Sequence, residues 1–344
     1  MKIRYSLRGM ASLALIMCSI YQLPLRAQAP AKMRVTASLS DVSINKIPFI
    51  IAENEGLYAK HGLEVVMTPF SANAAKVHGV PDQVPKSVRD AVVGPNFSVG
   101  GGAPGMWDKA ISSEPNDRVI IATTDDIVHW DIVAQPEFKR LEDLKGKRFA
   151  ISGLSACTGT VALVVAKHMG WDPVQDMAIL EGNYSVTPLQ KRWVDALIAY
   201  EVPLAMAMKA GYKPLEDVDM RKWNEPIPCN GVWASKSWAH ANKPAVIAYL
   251  KALTEAISMM KKDKEVAFRA VAKYYDFKDR EQQQVIYNGA KEMPRKPYPS
   301  VDGIKNAMKL YDGAAMRRFK AEDFYDDTFM KELDQSGFID NLYK

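Results

Sequence analysis

The sequence predicts an α/β protein with a largely helical C-terminal region. Between residues 33 and 234, short apolar strand patterns alternate with helical patterns, and this alternation is typical of parallel βαβ units. After Ala234 the pattern changes to almost continuous amphipathic helix. Since 48% of the 344 residues are apolar and 9% are aromatic, the chain can form a packed core in each of two lobes.

The strand and helix patterns follow one another in a repeated order. The stretch KMRVTASLS alternates as a strand does, and it is followed by a polar loop, the helical pattern IPFIIAENEGLYAKHG and a second strand, LEVVMTPF. The same order returns in NFSVGGG, GMWDKAISSE and RVIIAT, and again in KRFAIS, the helical pattern 158–169 and MAIL. DALIAY then predicts another buried strand before the helical PLAMAMKAG. Strands joined through a helix in this way are expected to be parallel.

The N-terminus has the pattern of a secretory signal peptide. Basic residues precede the apolar run MASLALIMCSI, and the small residues of AQA predict cleavage after Ala29. An alternative is a lipoprotein acylated at Cys18, although Met17 is bulkier than the residue that usually precedes such a cysteine. No later stretch has the ~20 consecutive apolar residues of a spanning helix. We therefore expect residues 1–29 to be a signal peptide and the mature protein to be exported.

The charge of the mature chain argues against one class of partner. Of the formal net charge of +5, four positive charges precede Pro30 with no negative charge among them, which leaves +1 for the rest of the chain. A nearly neutral chain has no electrostatic basis for binding nucleic acid. The five histidines are scattered, and none is paired at helical spacing with another strong metal ligand. We therefore expect no nucleic acid, no metal and no other cofactor.

One glycine pattern has the spacing of a dinucleotide-binding loop. Gly100, Gly102 and Gly105 follow a strand pattern, and Asp125 and Asp126 come about 20 residues later. The helical pattern after these glycines is short, however, and export would remove the chain from the nicotinamide pool of the cell. The alternative is a tight turn that brings the backbone close to a ligand or to a neighbouring segment. The run GLSAC also lacks the last glycine of a nucleophile elbow, so the sequence does not indicate an enzyme.

The run GKRFAISGLSACTGT predicts a polar binding loop. It joins a strand pattern to an apolar helical pattern that starts at Val161, so its N–H groups should lie at a helix N-terminus, where anionic and polar groups bind. The alternative is that Ser155 or Thr158 only caps this helix.

Two cysteines, Cys157 and Cys229, remain after cleavage. An oxidising compartment allows one disulfide between them, but the sequence does not give the distance between their Cα atoms. Two separate thiols are the prediction, and a single bridge is the alternative.

Five blocks of sequence, in order from about residue 35, resemble the periplasmic solute-binding proteins of ABC importers. They are PFIIAENEGLYAKHGLEVVMTPF, VGGGAP, LEDLKGKRFAIS, WVDALIAYEVPLAMAMKAG and WASKSWAHANKPAVIAYLKALTEA. The branch to which they are similar includes binders of sulfonates, taurine, nitrate and thiamine precursors. The resemblance implies a type II periplasmic-binding-protein fold, with two α/β lobes, a hinged cleft between them and a helical C-terminal region.

The resemblance also implies how the chain is divided between the lobes. Residues 30–128 and 232–344 would form lobe 1, and residues 129–231 would form lobe 2, inserted between them. The two chain crossings are then expected near residues 129–133 and 230–233.

By this resemblance the protein is a periplasmic binding component that captures a small polar or anionic organic solute, such as an aromatic or aliphatic acid or a sulfonate. It would deliver this ligand, as a monomer and without catalysis, to an ABC permease in the inner membrane. Three alternatives remain open: a pyrimidine-precursor binding protein, an enzyme of the same fold, and a sensory protein that presents its ligand to a membrane receptor.

The resemblance places a set of polar and small residues in the cleft. They come from the loop after the first strand, the glycine turn, the first crossing, the GLSACTG loop and the ends of lobe 2 strands. These candidate ligand-binding residues are Ser40, Asp41, Asn45, Lys46, Gly102, Ala103, Trp130, Ser155, Cys157, Thr158, Asn183, Tyr200 and Glu201.

Several of these residues carry expectations about the ligand. Ser40 and Lys46 stand roughly where thiamine-precursor binders commonly have aromatic and histidine residues, which favours an acid over a pyrimidine. Trp130 is a candidate for stacking on a planar ligand, with simple packing as the alternative, and the adjacent His129 is a further functional candidate. Glu201 would repel a carboxylate, so either the ligand carries a donor or cationic group or Glu201 orients a neighbour.

Overall fold

Two β-sheets and the helices that cover them make up the part of the chain that the computed structural model describes, residues 32–39, 44–68, 95–182, 184–275 and 277–344. The predicted signal peptide lies outside these residues. Within them, no helix combines the length and the apolar character that would let it cross a bilayer.

The described residues contain nine strands. In chain order they are β1 (Met33–Leu39), β2 (Leu63–Thr68), β3 (Phe97–Gly100), β4 (Arg118–Ile127), β5 (Asp131–Ala134), β6 (Lys147–Ile151), β7 (Met177–Glu181), β8 (Ala196–Ala199) and β9 (Pro226–Ser235). The first sheet has the order β2-β1-β3-β9-β4, and the second sheet has the order β5-β8-β6-β7.

Thirteen α-helices lie in the same described ranges. They are α1 (Ile47–Asn54), α2 (Leu57–Lys60), α3 (Gly102–Ile111), α4 (Cys157–Met169), α5 (Thr187–Gln190), α6 (Glu201–Lys209), α7 (Lys236–Ala241), α8 (Lys243–Lys262), α9 (Lys264–Tyr275), α10 (Arg280–Ala290), α11 (Val301–Leu310), α12 (Thr328–Gln335) and α13 (Phe338–Asn341). A short 3₁₀ turn, Ile44–Lys46, precedes α1.

Both sheets are mixed. In the first sheet β1 is parallel to β2 and β3, whereas β9 is antiparallel to β3 and β4. In the second sheet β6 is parallel to β7 and β8, whereas β5 is antiparallel to β8. The predicted α/β class is confirmed. The expectation of parallel sheets fails for β5 and β9, because each of them enters its sheet directly from the other sheet and not through a crossover helix on its own sheet.

The chain passes between the sheets at one place. It leaves the first sheet after Ile127 at the end of β4 and returns at Pro226, the first residue of β9, and these two residues pair with each other. The same antiparallel register sets Asp125 opposite Asn230. Polar residues that are distant in sequence are therefore brought together beside the crossing.

The C-terminal helices cover the first sheet. Tyr249 of α8 is fully buried, and its ring stacks on Phe97 of β3 with the ring centroids 4.0 Å apart. Farther along the chain, the N–H of Ile120 in β4 donates a hydrogen bond to the carbonyl of Phe324 at 2.8 Å. The predicted helical C-terminal region is confirmed, and it completes the layer around the first sheet.

Asp195 joins two neighbouring segments of the second sheet. Its Oδ2 accepts hydrogen bonds from the backbone N–H and the Nε of Arg148, both at 2.9 Å, and its Oδ1 accepts one from Nη2 at 2.7 Å. The hydrogen bonds from the guanidinium lower the pKa of the Asp195 carboxyl. Charge-assisted bonds of this fork geometry hold β6 against the start of β8.

We expect Asp195→Asn to lower the free energy of unfolding by about 1 kcal/mol at neutral pH, since the pair is partly exposed. A carboxyl whose pKa is lowered by folding stabilises the protein above its unfolded pKa of about 3.9 and loses this effect as the pH falls through the folded value. The difference from wild type, measured by urea unfolding, should therefore shrink below about pH 4.

The control for this prediction is Asp302→Asn, because the Asp302 side chain is 85% exposed. It should change the unfolding free energy by less than about 0.5 kcal/mol. An Asp195→Asn difference that stays constant between neutral and acidic pH would contradict the role given to the ion pair.

Candidate functional site

A pocket opens beside the crossing between the sheets. The space between its lining atoms, including the part open to solvent, is about 240 Å³. The lining comes from the 3₁₀ turn, the end of β4, the crossing, the residue before α6, and the end of α10 with the loop after it: Asn45, Thr124, Asp125, Asp126, Ile127, His129, Tyr200, Gly289, Glu292, Met293 and Pro294.

Asp125 and His129 form the polar centre of this pocket. Both side chains are buried, and His129 Nε2 lies 3.6 Å from Asp125 Oδ1. Asn45 Nδ2 donates a hydrogen bond to the other carboxylate oxygen, Oδ2, at 3.2 Å. Burial raises the pKa of Asp125, while the nearby His129 and the bond from Asn45 oppose this rise.

Behind the pocket, a buried chain of hydrogen bonds connects three side chains. Lys46 Nζ donates to Asn230 Oδ1 at 3.0 Å, and Asn230 Nδ2 donates to Thr124 Oγ1 at 2.6 Å. Lys46 is 1% exposed and does not line the pocket. The structure therefore places this predicted site residue as a buried support for the strands that carry the pocket.

Aromatic rings form one wall of the site. The ring of Tyr200 lies 4.8 Å from that of His129 and 5.1 Å from that of Trp130, measured between centroids. A Cβ atom at Gly289 of α10 would lie 2.5 Å from Tyr200 Oη, so the glycine allows α10 to approach the ring. Trp130 is buried in contact with Tyr200 and is not part of the pocket lining.

The predicted binding loop before α4 lies outside the pocket lining. Thr158 is buried, and its Oγ1 accepts a hydrogen bond from the N–H of Ser152 at 3.0 Å and contacts Ser152 Oγ at 2.7 Å. Ser155 is exposed. Thr158 thus holds the loop to the end of β6, whereas the N-cap of α4 is Ala156 and no side chain forms a capping hydrogen bond there, so the capping alternative is not observed.

Cys157 and Cys229 form a disulfide, with their Cα atoms 5.5 Å apart. The prediction of two separate thiols is therefore wrong. Cys157 begins α4 beside the second sheet, and Cys229 lies in β9 of the first sheet. The two meet because β9 returns directly from the second sheet, which places its first residues near the start of α4. The Cys157 sulfur is bonded to Cys229 and is not a free thiol.

The glycine turn before α3 packs against β9. A Cβ atom at Gly102 would lie 2.4 Å from the carbonyl oxygen of Pro228, and Ala103 is fully buried. Neither residue lines the pocket. The glycines therefore provide a close approach between backbone segments, which is the alternative to a dinucleotide-binding loop.

Four of the predicted residues cannot be placed in the site. Ser40, Asp41 and Asn183 lie outside the described residues, as does the side chain of Glu201. Of the remaining nine, the pocket brings together Asn45 and Tyr200, with Trp130 and Lys46 directly behind its lining.

Sequence reasoning missed the residues that contribute most of the pocket's polar groups. The sequence singles out Asp125 and Asp126 only for their distance from a glycine pattern, and it does not predict Thr124 or Glu292. One signal was available, since polar residues at the end of a buried strand often mark a binding edge in α/β folds. In the part of the chain that the structure describes, no group of three or more His, Cys, Asp or Glu residues could hold a metal ion.

Comparison with known proteins supports the assignment of the fold. The family described as "NMT1/THI5 like" matches residues 124–267. A comparison with curated protein sequences finds no match.

Three solved structures share the fold over most of the chain. The alkanesulfonate-binding protein SsuA from Xanthomonas axonopodis pv. citri, bound to MOPS, is 17% identical with a TM-score of 0.60, over 85% of this chain and 96% of its own. The periplasmic nitrate-binding protein NrtA from Synechocystis PCC 6803 is 12% identical with a TM-score of 0.64, over 90% of each chain. The desulfurization enzyme DSZB is 12% identical with a TM-score of 0.54, over 88% of this chain and 99% of its own.

Identities this low show a common fold and not a common ligand. The similarity covers 85–90% of this chain, so it includes both sheets and the helical C-terminal region. The predicted resemblance to periplasmic solute-binding proteins is therefore confirmed at the level of the fold, and the chain has the periplasmic-binding-protein fold with an NMT1/THI5 like segment at residues 124–267.

Proposed function

We propose that this protein is the extracytoplasmic substrate-binding component of an ABC importer and binds a small polar organic solute in the pocket beside the crossing. The observation that carries the proposal is the buried polar cluster of Asn45, Asp125 and His129, which lines a pocket between elements of both sheets. Binding sites of hinged two-lobed proteins lie between the lobes, and closure around the ligand is their function.

We propose that the two sheets are the centres of the two lobes. Lobe 1 would contain residues 30–128 together with the chain from β9 onward, and lobe 2 the segment between them. The predicted second boundary lay at residue 231, whereas β9 already begins at Pro226 in the first sheet. The hinge would consist of residues 128–130 and the residues just before Pro226.

Two contacts join the proposed lobes to each other. Lys209 of α6 pairs with Asp279 at the start of α10, with Nζ and Oδ2 2.8 Å apart. On another side, Thr160 of α4 bonds to Tyr311 after α11, with the hydroxyl oxygens 2.6 Å apart. Contacts of this kind would hold the proposed lobes together, as closure around a ligand requires.

The proposal includes export by the signal peptide, cleavage after Ala29, a periplasmic location, a monomeric state and transient docking to a membrane permease. The names of SsuA and NrtA support a periplasmic binding role. A sensory protein would present the same ligand-bound form to a membrane receptor. A permease gene next to the gene of this protein would favour transport over sensing.

An enzyme of the same fold is the second candidate, because DSZB shares the architecture. The described lining of the pocket contains neither serine nor cysteine, which argues against a serine or cysteine nucleophile there. We therefore propose that the protein binds its ligand without converting it.

Ligand screening by thermal unfolding tests the proposed function. The mature protein, unfolded and refolded to remove any bound molecule, would be heated with acids, sulfonates, amines and heterocycles. A ligand at 100 times its Kd should stabilise the folded state by about 2.7 kcal/mol. We expect a concentration-dependent rise in Tm with one chemical class, reduced in Asn45→Ala. Turnover of a compound, or no stabilisation by any class, would contradict a transport function.

A further inference from the structure

The charges that line the pocket are predominantly negative. Three carboxylates, those of Asp125, Asp126 and Glu292, contribute to its wall. No lysine or arginine is among the described lining residues, and His129 is the one group there that can become cationic. Even with a protonated His129, the lining therefore has more negative than positive charge.

Three lysines in the described part of the chain near the pocket have other partners. Lys261, whose charge interacts with that of Glu292, donates a hydrogen bond from Nζ to the carbonyl of Lys291. Lys46 is buried behind the pocket with its Nζ bonded to Asn230 Oδ1, so its ammonium group is not presented to a ligand. Lys209 pairs with Asp279 at the far end of α6. A carboxylate or sulfonate entering this pocket would meet the carboxylates of the described lining, which contains no lysine or arginine to bind it.

The buried polar atoms in the pocket wall still have capacity for a ligand. Among the described residues, neither ring nitrogen of His129 has a hydrogen-bond partner, although the side chain is only 5% exposed. Asp125 Oδ1 lies 3.6 Å from His129, which is beyond hydrogen-bond distance. Buried polar atoms are normally satisfied, and a ligand that donates hydrogen bonds would satisfy Asp125 Oδ1 and the unprotonated ring nitrogen of His129.

The burial of Asp125 and the aromatic ring of Tyr200 both favour a cationic ligand. Burial raises the pKa of Asp125, which means that its charged form lacks sufficient compensation in the free protein. A cation bound beside it would supply that compensation. The ring of Tyr200, next to His129, adds a π face toward which cations are attracted.

We propose that the pocket selects an organic cation that carries N–H donors, such as an ammonium or amidinium group, with Asp125 and Glu292 as its charge partners. This inference rests on the proposed binding function and reverses the expectation of an anionic ligand drawn from the sequence. Asp125 contacts the donor group in the buried part of the pocket, and Glu292 acts at its exposed edge.

Matched probes test the charge preference separately from the binding function. Phenyl, cyclohexyl and butyl compounds, each with an amidinium or ammonium, a carboxylate or a sulfonate group, would be measured by calorimetry and thermal unfolding. We expect at least one cationic member to bind at least tenfold more tightly than its anionic counterparts. Tighter binding of the anions overturns this inference and leaves the binding function intact, whereas no binding by any member overturns both.

Substitutions then locate the charge partners. Asp125→Asn should weaken binding of the cationic probe by tenfold or more. Glu292→Gln, at an exposed position, should weaken it about three- to fivefold. Asp302→Asn, on the exposed face of α11, is the control and should leave the affinity unchanged. Because Glu292→Gln removes only an exposed charge, unchanged affinity in that folded variant would contradict the assignment even if Asp125→Asn failed to fold.

Discussion

Replacing Cys157 and Cys229 with serine is expected to lower the free energy of unfolding by about 4 kcal/mol. The two residues are 72 positions apart, and a bridge that closes a loop of this length removes much of the conformational freedom of the unfolded chain. Chain-entropy estimates for such a loop give about 4.4 kcal/mol. The bridge also joins elements of both sheets, so its loss should destabilise the contact between them as well.

Equilibrium unfolding in urea measures this effect. The wild-type protein treated with a reductant should unfold at nearly the same denaturant concentration as the double serine variant, because both lack the same covalent bond. The untreated wild type should show no free thiol in its mature form. Equal stability of the oxidised wild type and the variant would contradict the structural role of the bridge.

The second large effect is expected for Lys46→Met, which should cost about 3 kcal/mol or more of unfolding free energy. Methionine fills nearly the same volume, so the loss comes from polarity and not from a cavity. It would leave Asn230 Oδ1 without its 3.0 Å donor in a fully buried position. It would also remove a positive charge that opposes the rise in the pKa of Asp125. Removing one partner from a buried charged network typically costs about 3–5 kcal/mol.

The comparison for this prediction is Lys305→Met on α11, where the lysine side chain is 55% exposed. It should alter stability by less than about 0.5 kcal/mol. If Lys46→Met were as stable as this control, Lys46 would not support the strands that carry the pocket, and a direct role in binding a ligand would again be possible.

Local sequence patterns predict most of the secondary structure. The apolar run after the GLSACTG loop predicts a helix at 158–169, and α4 spans Cys157–Met169. The run LEVVMTPF predicts a strand where β2 spans Leu63–Thr68. Such patterns depend on neighbouring residues only, because the spacing of apolar side chains within one element decides which face is buried.

The buried chain of hydrogen bonds behind the pocket could not be predicted in the same way. Asn230 meets Thr124 and Lys46 because β9 returns antiparallel to β4 in one particular register, and this register is a property of the whole fold. The contact between Cys157 and Cys229 likewise depends on how distant segments of the chain are placed by the whole fold. The resemblance to a family indicated the right fold, but the identity of the groups facing each other depended on pairings between distant segments.

If the two proposed lobes rotate about a hinge at the crossing, the position of the disulfide sets a mechanical limit on that rotation. Cys229 lies three residues along β9 from the crossing at Pro226, which gives a lever arm of roughly 10 Å. Disulfides allow Cα separations up to about 6.8 Å. The observed separation of the two Cα atoms is 5.5 Å, so they can move apart by only ~1 Å more. At the distance of Cys229 from the crossing, this movement corresponds to a rotation of roughly 10° about an axis through the crossing. Oxidised protein can admit a ligand only by small angular motions or by rotating about the bridge itself, and reduction would release that restraint.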